Sequence, residues 1–593
     1  MCGIAGWFGD GIGCEPASLL DALRHRGPDG EGVWRDTEGR ALLVHTRLAI
    51  LDLSTAGAQP MGWDAQTRTV TDTSGKARYW IVFNGEIYNF RELRAELESH
   101  GEIFEGQSDT EILLRLLIRE GKGAVHKLAG MFAFAFYDTQ AGTALLARDP
   151  FGIKPLYYTE RNSSLAFASE VRPLRALTSE SRCSGPVVRD TLLWGSVPEP
   201  ATSAESICEL PSGCVLEWDG HASRTERWHH IRFSDTVPAG QAVAVARGAL
   251  LESVRRHLVS DVPVGIFLSG GIDSTALLAL SRVVLGPQAD LRTFSIGFED
   301  PAYDESSAAR QTASHFGTRH VEWRMTAREG RSEIAAYLGA MDQPTTDGFN
   351  TWCVSKLARR EGVKVVLSGL GGDEIFGGYD SFRQVPRFMR LHRALGPLRQ
   401  PVAAMLDCTP PASRWRRLAA FLRSPGTALA AFHVQRGIFC EHEARPLASL
   451  IAGADPGPAS WHTEDLPENP RDAVSFLEVT RYMLNQLLRD SDVFSMAHGL
   501  ELRVPFVDGR LFDAVRGIPA RIRLRAGKQL LLDAVPEIPE WVRNQPKRGF
   551  RFPFQEWMQD EFGTVMEAAE KTSTVPLVTW YRKWALAAVL MKR

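Results

Sequence analysis

Val264-Gly265-Ile266-Phe267-Leu268 runs directly into Ser269-Gly270-Gly271-Ile272-Asp273-Ser274-Thr275, and the change of character at Ser269 decides how this chain is read. The first five residues have the look of a strand buried on both faces. Thr275–Val284 behind them has helical spacing. In between, two glycines let backbone N–H groups turn toward an anion, serine hydroxyls add donors, and the helix N-terminus favours negative charge. The Gly-Lys-Ser ending of a P-loop is missing. A carboxylate inside the loop, Asp273, repels phosphate unless a cation stands between them, and Mg²⁺ suits carboxylate and phosphate oxygens together. A capped turn would explain a bare Gly-Gly pair. Ser-Gly-Gly-x-Asp-Ser set between strand and helix favours pyrophosphate.

A second element of the same kind lies downstream. Val363–Leu367 leads into Ser368-Gly369-Leu370-Gly371-Gly372-Asp373-Glu374, then Phe376-Gly377-Gly378-Tyr379. Asp373 is placed to share a Mg²⁺ with Asp273. Around both loops, helical runs such as Gln241–Leu258 alternate with strands such as Thr293–Ile296. That alternation predicts a doubly wound parallel sheet with ligands at the carboxyl ends of its strands. Before about Arg227–Ala242 the character differs. Ala41–Val44, Tyr79–Phe83, Phe132–Tyr137 and Thr143–Ala147 read as strands, with helices at Asn89–His100 and Thr110–Glu120. Few crossover helices predict packed, largely antiparallel sheets, so the chain is α+β in its first part and α/β in its second.

The 593 residues carry 71 acidic against 68 basic side chains, a balance that recommends neither nucleic acid nor an anionic membrane as partner. Apolar stretches such as Met131–Tyr137 are far too short to span a bilayer. Met1–Gly6 lacks the pattern of a secretory signal. Eight scattered cysteines form neither a Cys-x-x-Cys pair nor a Cys/His cluster, so a reducing cytoplasm is the expected location. Small molecules are the partners left. Cys2 becomes the first residue once Met1 is removed, and its own α-amine can then take the thiol proton. Arg47, Asn84-Gly85-Glu86 and Ser108-Asp109 supply what a glutaminase needs. Asn84 and the Gly85 N–H form a donor pair for an oxyanion, and charged groups hold an amino acid's carboxylate and ammonium.

Cys2-Gly3-Ile4, Arg24-His25-Arg26-Gly27-Pro28-Asp29-Gly30, His45-Thr46-Arg47-Leu48-Ala49-Ile50, Asn84-Gly85-Glu86-Ile87-Tyr88-Asn89 and Ser108-Asp109-Thr110-Glu111 together resemble the class II glutamine amidotransferase domain. The Ser269–Ser274 loop, Ser368–Tyr379, Ser495–Phe506 and Pro546-Lys547-Arg548-Gly549-Phe550 with Pro553-Phe554 resemble the synthetase domain of asparagine synthetases. The match runs nearly end to end. It implies an Ntn-hydrolase-type unit over residues 2–228 and an adenylating unit of the ATP-pyrophosphatase type over 240–593. It implies Cys2 as nucleophile, Asn84 and Gly85 as oxyanion hole, and Arg47, Glu86 and Asp109 as the glutamine site. For ATP it implies Leu268, Ser269, Gly270, Gly271, Asp273, Ser274, Ile296, Ser368 and Gly369. It further implies Asp273 and Asp373 as Mg²⁺ ligands, Lys547 as a catalytic cation, an internal ammonia tunnel, and a homodimer. Arg503 is read as structural or near the nucleotide.

Two features depart from the family's pattern. Leu370 stands where asparagine-forming relatives commonly carry an acidic residue, and Asp342–Asn350 lacks an arginine found there in some members. Both fall near the acceptor pocket. L-aspartate is therefore the leading acceptor, with a uronic acid of a surface polysaccharide or a specialised metabolite as the alternative. A β-lactam-type cyclase or a non-catalytic sensor fits less well, because Cys2, Asn84, Asp109, Asp273, Asp373 and Lys547 are all in place.

Overall fold

The computed structural model describes the chain except residues 1, 11–14, 65, 66, 68, 72–76, 179–182, 300–302, 305, 411, 412, 462, 546–562, 592 and 593. Lys547, Pro553 and Phe554 therefore lie outside the described residues.

Strands β1 (Gly3–Phe8) and β2 (Ala41–Arg47) pair antiparallel within a six-stranded sheet. Strands β3 (Tyr79–Ile87) and β4 (Gly130–Asp138) pair along their full length within a seven-stranded sheet. Side chains alternate between the faces of a strand. On β1, Ile4 and Phe8 meet Trp80 and Val82 of β3 in the core between the sheets, while Ala5 and Trp7 pack outward against helix α1 (Pro16–Leu23). On β3, Ile81 and Phe83 turn outward against α2 (Phe90–Ser99) and α3 (Asp109–Glu120). The result is four layers, helix–sheet–sheet–helix. Both faces of the central strands are buried, which is why they read as continuous apolar runs.

The second part holds β5 (Val264–Phe267), β6 (Arg292–Phe298), β7 (Arg319–Met325), β8 (Val365–Leu367) and β9 (Glu501–Arg503). Every pairing is parallel, in the order β7-β6-β5-β8-β9. Strand order reverses between β5 and β8, the place where doubly wound sheets collect ligands. Both glycine loops leave the sheet there. Helices α4 (Ala242–His257) and α5 (Ile272–Leu285) pack their apolar stripes on the sheet. Further helices, including Ser381–Leu395 and Ala428–Arg436, build a separate core around Phe382, Leu422 and Phe432.

The two parts are fastened by buried charge. Arg26, wholly buried, reaches Glu170 at 3.0 Å and Asp492 at 2.7 Å. Lys154 shares Asp492 at 3.5 Å. Arg489 and Arg148 share Glu209 at 2.5 and 2.8 Å. Removing one partner strands the others in a low-dielectric interior. Asp492→Ala is expected to cost about 3 kcal/mol or more, seen as a melting temperature about 5 °C lower or beyond. Lys122→Ala, in an exposed pair with Glu217 and Glu226, should leave the melt unchanged.

Candidate functional site

Two sites stand out in the structure. The first is a small pocket at the start of β1, lined by Cys2, Arg47, Gly85, Glu86, Ser108 and Asp109 among others. Each comes from an element end. Arg47 closes β2, Glu86 lies near the end of β3, and Asp109 opens α3 behind Ser108, whose hydroxyl accepts the Thr110 N–H at 3.1 Å. The Cys2 N–H donates to Asn84 Oδ1 at 3.1 Å, which leaves the buried Asn84 Nδ2 with no hydrogen-bond partner among the described residues. A donor aimed at nothing, one residue from Gly85, is what an oxyanion needs. Gly85 admits no other residue, since a Cβ there would stand 2.1 Å from the Met131 carbonyl oxygen. Asp109 accepts the Ile87 N–H at 2.9 Å. The Arg47 guanidinium is held by the carbonyls of Ser54 at 2.7 Å and Asp52 at 2.5 Å.

Burial sets the protonation of this pocket. It pushes the Cys2 thiol up, against the pull of the nearby Leu48 backbone and Arg47. It lifts Asp109 to about 6, offset in part by the Ile87 N–H. Glu86 is pushed well up, by burial first and then by Glu501, while Arg503 pulls it down. Arg503 approaches Glu86 at 3.4 Å. Its side chain thus braces a residue that lines the Cys2 pocket, while its carbonyl accepts the Ser368 N–H at 2.9 Å, at the start of the second glycine loop.

The second site is a cavity of about 1220 Å³ above the switch point. Leu268, Ser269, Asp273, Ser274, Ile296, Ser368, Gly369 and Asp373 all line it. Gly270 and Gly271 make the turn beside it, with φ of +74° at Gly270, and the Ser269 and Ser274 hydroxyls meet at 3.0 Å. The loops interlock closely, for a Cβ on Gly372 would lie 2.4 Å from Asp273 Oδ1. Leu370 lines the same cavity, half-buried and packed on the sheet core. Its lining also includes the aromatic residues Trp194, Tyr379, Phe432 and Tyr482. Arg436 is clasped between the Tyr379 and Tyr482 rings at 4.1 and 3.8 Å and paired with Glu478 at 2.7 Å.

Lys528 is the functional group that motif reading missed. Its ammonium lies between Asp273 and Asp373, bonded to the first and 2.5 Å from Oδ1 of the second. Burial opposes this charge, but the two carboxylates together raise its pKa. The only local signal was a lysine after Gly527, and nothing in the spacing links it to loops more than a hundred residues away. Two carboxylates converging on one cation fit Mg²⁺, which is commonly held by one or two carboxylates plus substrate phosphates. Among the described residues no cluster of three or more His, Cys, Asp or Glu offers a metal site of its own. With Lys528 in that place, Mg²⁺ alone should not raise the melting temperature of the wild-type protein. Lys528→Met is expected to melt lower and to be restabilised by Mg²⁺, as read by scanning fluorimetry.

Comparison with known proteins matches residues 1–229 to the family described as glutamine amidotransferase domain and residues 246–592 to asparagine synthase. Asparagine synthetase [glutamine-hydrolyzing] 1 of Bacillus subtilis (strain 168) is 32% identical, covering 95% of this chain and 88% of that protein. Asparagine synthetase B [glutamine-hydrolyzing] of Escherichia coli (strain K12) is 32% identical over 66% of this chain and 67% of its own. Amidase chry2 of Gibberella zeae is 28% identical over 92% and 85%. Among the described residues no helix is long and apolar enough to cross a membrane.

Proposed function

The chain belongs to the asparagine synthase family, and on that premise we propose that it amidates an ATP-activated carboxylate with ammonia cut from glutamine. Residues 2–228 form the glutaminase unit and 240–593 the adenylating unit. The observation that carries the reading is the convergence of Cys2, Arg47, Gly85, Glu86 and Asp109 on one pocket with an unpartnered Asn84 amide beside them.

After loss of Met1, the Cys2 amine takes the thiol proton and the sulfur attacks the glutamine side-chain carbonyl. The oxyanion that forms is met by Asn84 Nδ2 and the Gly85 N–H. Arg47 binds the substrate carboxylate, and Asp109 and Glu86 its amino end. Collapse expels ammonia and leaves a glutamyl thioester, which water hydrolyses to glutamate. At the second site the acceptor's carboxylate oxygen attacks the α-phosphorus of ATP and pyrophosphate leaves, held by Ser269–Ser274. Ammonia then attacks the acyl carbon, loses a proton and releases AMP. Mg²⁺, held by Asp273 and Asp373, would offset the phosphate charge, and Lys528, displaced from between them, is near enough to do the same. Lys547 is assigned the role of a further cation at the adenylate. A route closed to bulk water keeps the ammonia unprotonated.

L-aspartate, giving asparagine, is the first acceptor to test, since the relatives named above include asparagine synthetases. A second reading, a larger carboxylate such as a uronic acid or a specialised metabolite, is favoured by Leu370 together with the aromatic residues in the lining of the cavity. Pyrophosphate release with glutamine and Mg²⁺-ATP across a panel of carboxylates separates them. Turnover with L-aspartate that becomes dependent on added ammonia in Cys2→Ala supports the first. Glutamine hydrolysis with no aspartate turnover rejects it and selects the second.

The Asp109 carboxylate is charged only above about pH 6. Because kcat/KM reports groups of the free enzyme, kcat/KM for glutamine should fall as pH drops through about 6. Asp109→Asn should lower kcat/KM and abolish that inflection.

A further inference from the structure

Strand β9 is three residues long and serves two cavities at once. Leu502 points into the nucleotide cavity, while Glu501 and Arg503, on the opposite face, turn toward the Cys2 pocket. Arg503 has no solvent exposure, and its Nε and Nη1 are hydrogen-bonded while Nη2 is buried without a hydrogen bond among the described residues. Nε bonds Glu501 at 2.5 Å, and Nη1 donates to the carbonyls of His257 at 2.8 Å and Val259 at 2.6 Å. Nη2 meets Glu86 Oε1 at 3.4 Å, the loosest of these contacts. The other Glu86 oxygen, buried and without a hydrogen-bond partner, remains for a ligand.

Both ends of this residue lead to a site. The Arg503 carbonyl accepts the N–H of Ser368, the first residue of the second nucleotide loop. The segment that Arg503 Nη1 grips continues to Asp261, whose N–H donates to the Ile50 carbonyl and whose carboxylate accepts the Asp52 N–H at 2.8 Å. Asp52 in turn offers its carbonyl to Arg47. The Ser368 loop is thus joined through β9 to two groups of the Cys2 pocket, Glu86 and Arg47. A loose 3.4 Å charge contact in a dry interior changes energy steeply with distance.

We propose that Arg503 is a positioning residue that couples the nucleotide site to the glutamine pocket, setting Glu86 for glutamine only when the Ser368 loop is occupied. The role does not require Arg503 to touch either substrate. It rests on the reading of the Cys2 pocket as a glutaminase.

The test measures glutamine hydrolysis by the full-length protein with and without Mg²⁺ and a non-hydrolysable ATP analogue. Wild type is expected to gain about fivefold or more in kcat/KM when the analogue is present. Arg503→Met is expected to lose that response and to raise KM for glutamine far more than it lowers kcat. Its affinity for the analogue, read by calorimetry, should stay within about twofold of wild type. Arg503→Lys, which keeps the charge, should recover part of the response. If Arg503→Met fails to fold, Glu86→Gln tests the same contact and should also lose the response. A wild-type rate indifferent to the analogue overturns the proposal, and so does a variant that responds as wild type does. A parallel loss of nucleotide affinity in Arg503→Met reduces Arg503 to a structural role and also overturns it. If wild type shows no Cys2-dependent hydrolysis at all, the glutaminase reading itself fails, an outcome distinct from the others.

Discussion

Asp492, barely exposed, holds Arg26 from one part of the chain and Lys154 from the same part against a helix of the other. Such groups cannot be left alone in the interior, because an unpaired buried charge costs several kcal/mol. The layered sheets can therefore dock on the doubly wound sheet in few ways. The same rule applies at Glu209, which takes both Arg148 and Arg489, and at Glu86, which meets Arg503. Each pair crosses the seam or braces a residue that does. The docking brings the Cys2 pocket to one face of β9 and the nucleotide cavity to the other. Neither sheet could achieve that by itself.

Charge is handled differently at the two sites. The Cys2 pocket is small and dry, so burial dominates and moves thiol and carboxyls toward their neutral forms. The larger cavity is wide and carries two converging carboxylates, Asp273 and Asp373. Lys528, an internal cation, pairs with both Asp273 and Asp373 and bridges them. Without such a group the two carboxylates would repel one another, and the glycine loops that carry them would not interlock so tightly.

Around Leu370 the chain departs from the pattern it otherwise resembles. Leu370 puts an alkyl side chain where a carboxyl would be expected, half-buried against the sheet core and lining the cavity. In the same cavity, Arg436 is paired with Glu478 and sandwiched by Tyr379 and Tyr482.

Much of this protein was legible from its residues alone. The glycine loops at Ser269 and Ser368 were legible as strand-to-helix turns, because two glycines after a buried strand are a local signal, and the structure places both at one cavity. The strands Tyr79–Ile87 and Gly130–Asp138, and helices such as Phe90–Ser99, were visible from periodicity, with ends displaced by a few residues. Strand β9 was not legible as a strand, because Glu501-Leu502-Arg503 has no apolar run and its two charges are buried only by pairing. Cys2, Asn84, Glu86 and Asp109 could be named from motifs. Their convergence, and the freed Asn84 amide, depend on how four elements meet. Lys528 and Arg503 are the clearest cases of what tertiary structure decided. Each pairs with a carboxylate far away in the chain, Lys528 with Asp273 and Arg503 with Glu86, and electrostatic pairing in a low-dielectric interior is set by distance in space, which one stretch of chain does not encode.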